Sequence, residues 1–162
     1  MKLNLGCGND IREGYINVEA ELFGLSKESS AHESLKLGDA RRLEWLCKSG
    51  EVEEILALNI LDFCRHTELD KILENWVDKL KVGGVLKIAT IDTRSLCAAY
   101  LSYQISPEDF VTNMHGLQDC PKNTRKSSLD ILTIETKFKK LRLEILVSKV
   151  EKGQIYVEAE KC

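Results

Sequence analysis

The sequence lacks long apolar runs, paired cysteines and an excess of basic residues. No stretch approaches the roughly 18 consecutive apolar residues of a membrane-spanning helix, so no membrane contact is expected. None of the six cysteines stands in a CxxC pair, which argues against a metal site or a disulfide framework and favours free thiols in a cytoplasmic protein. The formal net charge of −3 gives no reason to expect general nucleic-acid binding.

Proline and low-complexity sequence are scarce as well. The chain has only two prolines, Pro107 and Pro121, and it shows no repeat or linker. Its 162 residues, of which 43% are hydrophobic, suit a single domain over 1–162 with a sizeable core. The chain opens with one lysine and then a predicted strand, a pattern unlike a secretory signal peptide.

Short apolar segments alternate with amphipathic ones, which is typical of an α/β layer fold. Segments 54–60 and 85–90 are nearly continuous apolar runs, as expected for strands that are covered on both faces. Two alternating runs, 141–147 and 155–159, flank a turn that contains glycine and predict an antiparallel hairpin. Further strands are predicted over 2–6, 16–19 and 34–37.

Helix signals lie between the predicted strands. Apolar residues at helical spacing predict a helix over 68–81 that ends at Gly83-Gly84, and a second helix is predicted after Arg41. Ser106-Pro107 is a strong helix start, because a capping hydroxyl precedes a proline at the first helical position. Other helices are predicted from about Thr93 and over 128–139.

Polar residues or glycines follow four successive predicted strands. The turn Gly6-Cys7-Gly8 ends the first strand, and Glu19, Asp39 and Asn59 lie at the ends of the next three. The carboxyl ends of parallel strands meet at one edge of a sheet, and ligands bind there. Glycines let a ligand approach the backbone, and a carboxylate can accept hydrogen bonds from both ribose hydroxyls. The sequence therefore predicts a nucleoside site at this edge.

The link between the first two predicted strands is too short for a dinucleotide site. Only residues 9–15 separate them, whereas a parallel crossover usually takes about ten to twelve residues, so a single turn or a bare loop is expected. Ile11 stands where the fingerprint GxGxxG requires its third glycine, and no Gly-Lys-Ser/Thr phosphate loop occurs. These features disfavour a nicotinamide-dependent oxidoreductase and favour a nucleoside without a phosphate chain.

The segments LNLGCG (3–8) and GYINVE (14–19) resemble the opening of class I S-adenosylmethionine-dependent methyltransferases. The closest likeness is to a set of small predicted methyltransferases, and it continues through 38–41, 55–66 and 80–88. This resemblance implies a three-layer, Rossmann-like α/β sheet of seven strands, mostly parallel, with a C-terminal antiparallel hairpin. It also implies methyl transfer from S-adenosylmethionine to a small polar acceptor. A hydroxyl of a sugar or of another metabolite is suggested as the acceptor by the family resemblance alone.

The resemblance further implies a role for each residue at the strand ends. The implied contacts are Gly6, Cys7 and Gly8 along the methionine part, Glu19 at the ribose hydroxyls, Asp39 and the Ala40 backbone at the adenine, and Asn59 beside the transferring methyl.

Two departures from the family pattern keep a second reading open. The family often has Asp where this chain has Glu19, whose longer carboxylate can still accept both ribose hydroxyls. It also often has His-x-Leu-Glu-His where this chain has Asn59-Ile60-Leu61-Asp62-Phe63. Because both histidines are missing, the alternative is a catalytically degenerate, cofactor-binding domain with a regulatory or partner-binding role.

Candidate catalytic residues are few, since in-line methyl transfer depends mainly on positioning and needs a base only when the acceptor keeps its proton. Asp92 and His115 are the candidate bases, although Asp92 is equally suited to cap a helix and His115 to end one. Acceptor recognition is expected from the loops at 20–33 and 93–127. The basic cluster 122–126 would suit an anionic acceptor or a solvated loop.

Overall fold

A seven-stranded mixed sheet forms the centre of the computed structural model, which describes residues 1–21, 24–120 and 123–162. The strands are β1 (Lys2–Leu5), β2 (Ile16–Glu19), β3 (Leu35–Leu37), β4 (Val52–Leu58), β5 (Leu80–Ile91), β6 (Leu143–Glu151) and β7 (Gln154–Lys161). Their spatial order is β3-β2-β1-β4-β5-β7-β6. β1 to β5 pair in parallel, and β7 is antiparallel to both β5 and β6, which confirms the predicted fold class.

The helices of the described residues lie where the chain leaves the sheet. They are α1 (Lys27–Ser30), α2 (Leu69–Lys79), α3 (Thr93–Leu101), α4 (Pro107–His115) and α5 (Ile131–Lys140), with 3₁₀ turns at Leu61–Phe63 and His66–Glu68. The predicted start of α4 is confirmed, because Ser106 and Asp109 form a reciprocal capping box. α5 begins later than predicted, since the Asp130 side chain caps it by accepting from Thr133 N at 2.7 Å.

The predicted helix after Arg41 is wrong. Only one turn forms there, closed by the bond from Cys47 N to Leu43 O at 3.0 Å. Side chains from elsewhere hold this backbone: Asn75 Oδ1 accepts from Leu43 N at 2.9 Å, and the Trp45 indole donates to Asp39 O at 3.2 Å. Tertiary hydrogen bonds therefore override the helical spacing of the apolar residues.

The predicted end of the long helix at Gly83-Gly84 is also wrong. α2 stops at Lys79, and Leu80, which is fully buried, already belongs to β5 and pairs with Val52. The Lys161 ammonium lies at this junction and donates to the carbonyls of Val77 at 2.8 Å and Leu80 at 2.7 Å. These bonds satisfy carbonyls that the helix end leaves without an intrahelical partner.

The apolar core lies on one side of the sheet. α2 and α5 pack there, and Trp76 and Phe138 are fully buried. The strand residues in the same cluster sit on one face: Leu3 and Leu5 of β1, Ile55 and Ala57 of β4, Leu86 and Ile88 of β5, and Ile155, Val157 and Ala159 of β7.

The opposite face of the sheet carries charged residues across its centre, so the expected burial of β4 and β5 on both faces is met only in part. Lys87 Nζ lies 3.2 Å from Glu54 Oε2 and 3.9 Å from Glu158 Oε2. The Tyr15 hydroxyl donates to Glu54, and this hydrogen bond raises the pKa of Tyr15 to about 12. Ion pairs and hydrogen bonds thus replace a second apolar layer at this point.

The short link between β1 and β2 has no helix, as the sequence predicts, and two buried asparagines hold it. Asn17 is fully buried; its Nδ2 donates to Arg12 O at 3.0 Å and Ser34 Oγ at 2.8 Å, while its Oδ1 accepts from Arg12 N at 2.9 Å. Asn4 Nδ2 donates to Asn17 Oδ1 at 2.9 Å and to Asp10 O at 2.7 Å. The two side chains supply the partners that a crossover helix would give the backbone.

No helix among the described residues is long and apolar enough to cross a membrane.

Replacing Asn17 by Ala is expected to lower the free energy of unfolding by about 3 kcal/mol, because Asn4 Nδ2 and Arg12 N lose their buried acceptor. Urea unfolding of the purified variant measures this loss. Asn113→Ala is the matched control, since Asn113 is exposed on α4 and its Nδ2 donates to Asp109 O at 2.8 Å, within the same helix. An Asn17→Ala variant as stable as Asn113→Ala would contradict the assigned role of the carboxamide.

Candidate functional site

A cavity of about 760 Å³ lies at the carboxyl ends of β1, β2, β3 and β4. Most of the residues predicted for the site line this cavity: Gly6, Gly8, Glu19, Asp39, Ala40 and Asn59. Four successive strand ends thus converge on one cavity, as the order of the predicted strands indicates.

The glycine turn after β1 forms one wall of the cavity. Both Gly6 (φ 62°) and Gly8 (φ 51°) have left-handed backbone, which glycine adopts readily. A Cβ on Gly6 would lie 2.8 Å from Ile60 Cδ1, so a side chain there would displace Ile60. A Cβ on Gly8 would meet no atom within 4 Å, so the space beside Gly8 is open to a ligand.

Glu19 is fixed at the rim of the cavity by two backbone amides. Its Oε2 accepts from Gly8 N at 2.9 Å, and its Oε1 accepts from Ala20 N at 2.8 Å. Each carboxylate oxygen can accept further hydrogen bonds. The glycine turn of β1 and the acid of β2 therefore form one unit that presents acceptor oxygens to the cavity.

Cys7 is not among the residues that line this cavity, although it stands between the two glycines. Its side chain is buried, and its backbone N donates to Val18 O at 3.1 Å. Burial, together with the negative charge of Glu19, raises the pKa of the Cys7 thiol to about 11. Cys7 is therefore a protonated packing residue in this structure, and its predicted contact with a cofactor stays a prediction.

The segment after β3 forms a second wall, in which Asp39 is bound by Arg41. Arg41 Nε and NH2 each donate to one Asp39 oxygen at 2.9 Å, and this pairing lowers the pKa of Asp39. Arg41 NH1 also lies 3.7 Å from Glu68 Oε2. Arg41 is a further residue of the site, and its position two residues after a carboxylate is the sequence signal that could have indicated this pairing.

Two indoles hold the backbone of this wall. Trp76 Nε1 donates to Ala40 O at 2.7 Å, and Trp45 Nε1 donates to Asp39 O at 3.2 Å. A Cβ on Gly38 would fall 2.2 Å from the Trp45 ring, so glycine is needed where the strand meets the indole. Neither contact is predicted by the local sequence, because each indole meets its carbonyl through the tertiary fold.

Asn59 lies at the end of β4 with an exposed side chain that faces no described hydrogen-bond partner. Its φ of 54° is left-handed, a conformation that asparagine tolerates better than most residues. Its backbone N donates to Ala89 O at 2.7 Å, which fixes the position of the residue. The Asn59 amide is therefore available to a ligand.

The third wall, which contains Phe63, Cys64, Asn123 and Lys126, depends on a buried ion pair between Asp62 and Arg125. Asp62 is 2% exposed, and its carboxylate accepts from the Arg125 guanidinium and the Thr90 hydroxyl. Burial raises the pKa of Asp62, while the bonds from Thr90 and Arg125 oppose that rise. The guanidinium also lies 5.2 Å from the Phe63 ring centre, which places it within cation–π range.

This ion pair fixes a distant segment of the chain against the cavity. Asp62 O accepts from Lys126 N at 2.6 Å and from Ser127 N at 3.1 Å, and Ser127 Oγ donates to Leu61 O at 2.8 Å. Asn123 and Lys126 consequently join the cavity lining. Of the basic cluster predicted over 122–126, Lys122 lies outside the described residues, as do Leu22, Phe23 and Pro121 within the predicted acceptor loops.

Neither candidate base lines this cavity. Asp92 is 3% exposed and caps α3: its Oδ2 accepts from Ser95 N at 2.9 Å and from Ser95 Oγ at 2.6 Å. His115 is exposed at the end of α4, where its carbonyl accepts from Arg125 N at 2.9 Å. For Asp92 the structure reveals the capping role, and a catalytic role for either residue remains a prediction.

No protein-family model and no curated protein matches this chain. Solved structures do match in fold. A protein from Pyrococcus horikoshii OT3 aligns with a TM-score of 0.71 at 16% identity, covering 99% of this chain and 81% of that one. A SAM-dependent methyltransferase from Methanosarcina mazei aligns with a TM-score of 0.66 at 13% identity, covering 99% and 91%.

A third match is a SAM-dependent methyltransferase from Thermotoga maritima, a possible histamine N-methyltransferase. It aligns with a TM-score of 0.66 at 16% identity, covering 99% of this chain and 82% of that one. Identities this low show a shared fold alone. The chain therefore shares its seven-stranded α/β fold with these solved SAM-dependent methyltransferases.

Replacing Asp62 by Ala is expected to lower the free energy of unfolding by about 3–5 kcal/mol, because the Arg125 charge stays largely buried without its partner. The matched control is Asp70→Ala, which removes the exposed carboxylate of the Asp70–Lys137 pair and should cost at most about 1 kcal/mol. Chemical denaturation compares the two. Equal losses would contradict the anchoring role of Asp62.

Proposed function

We propose that this protein binds S-adenosylmethionine in the cavity at the ends of β1 to β4 and transfers its methyl group to a small polar acceptor. The observation that carries the proposal is Glu19, which bonds to Gly8 N and Ala20 N at the open side of a glycine turn. The fold of the solved methyltransferases supports it. The cavity volume of about 760 Å³ also lies within the usual range for small-molecule sites.

The residues present fit the cofactor in shape and in chemistry. The open space at Gly8 admits the methionine part, and the anchored Glu19 can accept hydrogen bonds from both ribose hydroxyls. Asp39, held by Arg41, and the Ala40 backbone would face the adenine. Asn59 would lie beside the transferring methyl, with its amide available for a hydrogen bond.

Methyl transfer asks the protein mainly to hold two molecules in line. The bound sulfonium supplies the methyl group and leaves as a neutral thioether. Correct alignment of the acceptor alone can contribute on the order of 7–11 kcal/mol to lowering the barrier. The three walls would therefore accelerate the reaction by holding the two ligands in line. A general base is required only for an acceptor that keeps its proton.

A second candidate function follows from the positions of Asp92 and His115, which lie outside the lining of the cavity. A protein that binds the cofactor without turning it over would act as a regulatory or partner-binding domain. Binding of S-adenosylhomocysteine with no methyl transfer across a panel of small alcohols, amines and acids would favour this alternative.

Glu19→Gln is expected to weaken S-adenosylhomocysteine binding about tenfold or more. The neutral amide loses charge-assisted hydrogen bonds and turns an NH₂ group toward one of the two backbone amides that Glu19 now accepts from. Isothermal titration calorimetry measures the affinity, with Glu13→Gln, which changes an exposed acid of the link between β1 and β2, as control. Unchanged affinity in Glu19→Gln would show that the ribose contact is misplaced.

Thermal shift provides a direct test of the cofactor. Ligand at one hundred times its dissociation constant should stabilise the protein by about 2.7 kcal/mol. We expect this shift with S-adenosylmethionine and S-adenosylhomocysteine and none with NAD. The absence of a shift with both sulfur nucleosides would overturn the proposed function.

Gly8→Ala should abolish most S-adenosylhomocysteine binding while Gly14→Ala should retain it. Both glycines have positive φ, 51° and 79°, so alanine is strained at each, and neither would bring a Cβ within 4 Å of another atom. Of these two glycines, Gly8 lines the cavity and Gly14 does not, so the added methyl group enters the ligand space only in Gly8→Ala. Equal affinity of the two variants, measured by calorimetry, would place the ligand elsewhere.

A further inference from the structure

Two cationic side chains line the cavity, as far as the described residues extend, and they differ in their partners. Arg41 donates two hydrogen bonds to Asp39 and lies 3.7 Å from Glu68. The Lys126 ammonium makes no ion pair or hydrogen bond with any residue that the structure describes. Lys126 is therefore a cationic group of the wall that is free to meet a ligand.

The backbone that carries Lys126 is held firmly, in contrast to its side chain. Lys126 N and Ser127 N both donate to Asp62 O, at 2.6 and 3.1 Å. Arg125, which precedes Lys126 in the chain, is paired with the Asp62 carboxylate. Since the backbone is already ordered, a ligand at Lys126 has to immobilise only the lysine side chain.

Lys126 reaches the cavity from the segment that Asp62 holds, whereas Glu19 and Asp39, the carboxylates assigned to the cofactor, lie at the ends of β2 and β3. It shares the third wall with Phe63 and Cys64. Burial raises the pKa of the Cys64 thiol to about 11, and the charges of Arg41 and Lys126 oppose this rise, which indicates that the ammonium acts on this wall. Glu19 and Asp39, in contrast, already have backbone amides or Arg41 as partners.

We infer that the methyl acceptor carries an anionic group, a carboxylate or a phosphate, and that Lys126 binds this group. The inference rests on the proposed function, because it treats the third wall as the acceptor side. The anionic group serves for recognition, and the methyl can be transferred to another atom of the acceptor. An anion at Lys126 also offsets the repulsion between the ammonium and the sulfonium of the donor within one cavity.

The test uses small anions as probes, since it does not require the acceptor itself. Inorganic phosphate and acetate are titrated separately into the protein saturated with S-adenosylhomocysteine, and binding is followed by calorimetry at constant ionic strength. The variants are Lys126→Gln, which removes the charge, and Lys126→Arg, which keeps it. Lys71→Gln, at an exposed position of α2 outside the cavity lining, is the control.

We expect saturable binding of phosphate, acetate or both to the unaltered protein and to Lys71→Gln, with Kd on the order of 1 mM. Affinity should fall about tenfold or more in Lys126→Gln and be largely kept in Lys126→Arg. The stronger of the two probes indicates whether the anionic group is a phosphate or a carboxylate. The anion should bind more tightly to the S-adenosylmethionine complex than to the S-adenosylhomocysteine complex.

Two results would overturn this inference while leaving the proposed function intact. One is S-adenosylhomocysteine binding without saturable anion binding, and the other is equal anion affinity in Lys126→Gln and Lys71→Gln. Failure of S-adenosylhomocysteine to bind any variant would overturn both proposals. Lys126→Gln itself should bind S-adenosylhomocysteine as the unaltered protein does, because the ammonium makes no hydrogen bond or ion pair with the described residues assigned to the cofactor.

Discussion

The buried carboxamide of Asn17 is the interaction on which the rest of this structure depends. A parallel pair of strands ordinarily needs a helix or a long crossover between them, and here residues 9–15 suffice because Asn17 and Asn4 bond to their backbone. The register that follows places Val18 beside Leu5 and lets Cys7 N donate to Val18 O. Glu19 is thereby brought next to Gly8, so the rim of the site is a direct result of how the link is held.

The walls of the cavity are held in place in two different ways. The walls built from strand ends are fixed by the sheet itself, and the indoles of Trp45 and Trp76 hold the segment after β3. The third wall depends on Asp62, which binds a segment 63 positions away through Arg125. Loss of Asp62 would leave the Arg125 charge buried without its partner, and the bonds from Lys126 N and Ser127 N to Asp62 O keep Lys126 at the cavity.

Local sequence rules predict the walls that are built from strand ends and miss the wall that Asp62 and Arg125 hold. Alternating strand signals and the residues at their ends were enough to place Gly6, Glu19 and Asn59 on one cavity, since parallel strands must share an edge. Nothing in the spacing of Asp62 and Arg125 signals that they meet, because the contact is set by the tertiary fold. The same cause explains the helix wrongly predicted after Arg41, where hydrogen bonds from Asn75 and Trp45 outweigh helical periodicity.

The helix-free link between β1 and β2 also bears on the order in which the chain folds. The contact between Asn4 and Asn17 closes a loop of 13 positions, whereas the pairing of β1 with β4, for example of Leu3 with Ile55, closes a much longer loop. Closing the shorter loop costs roughly 1 kcal/mol less chain entropy. β1, β2 and the glycine turn between them thus make the more local contacts, so we expect the wall that carries Gly8 and Glu19 to form before the wall that carries Lys126.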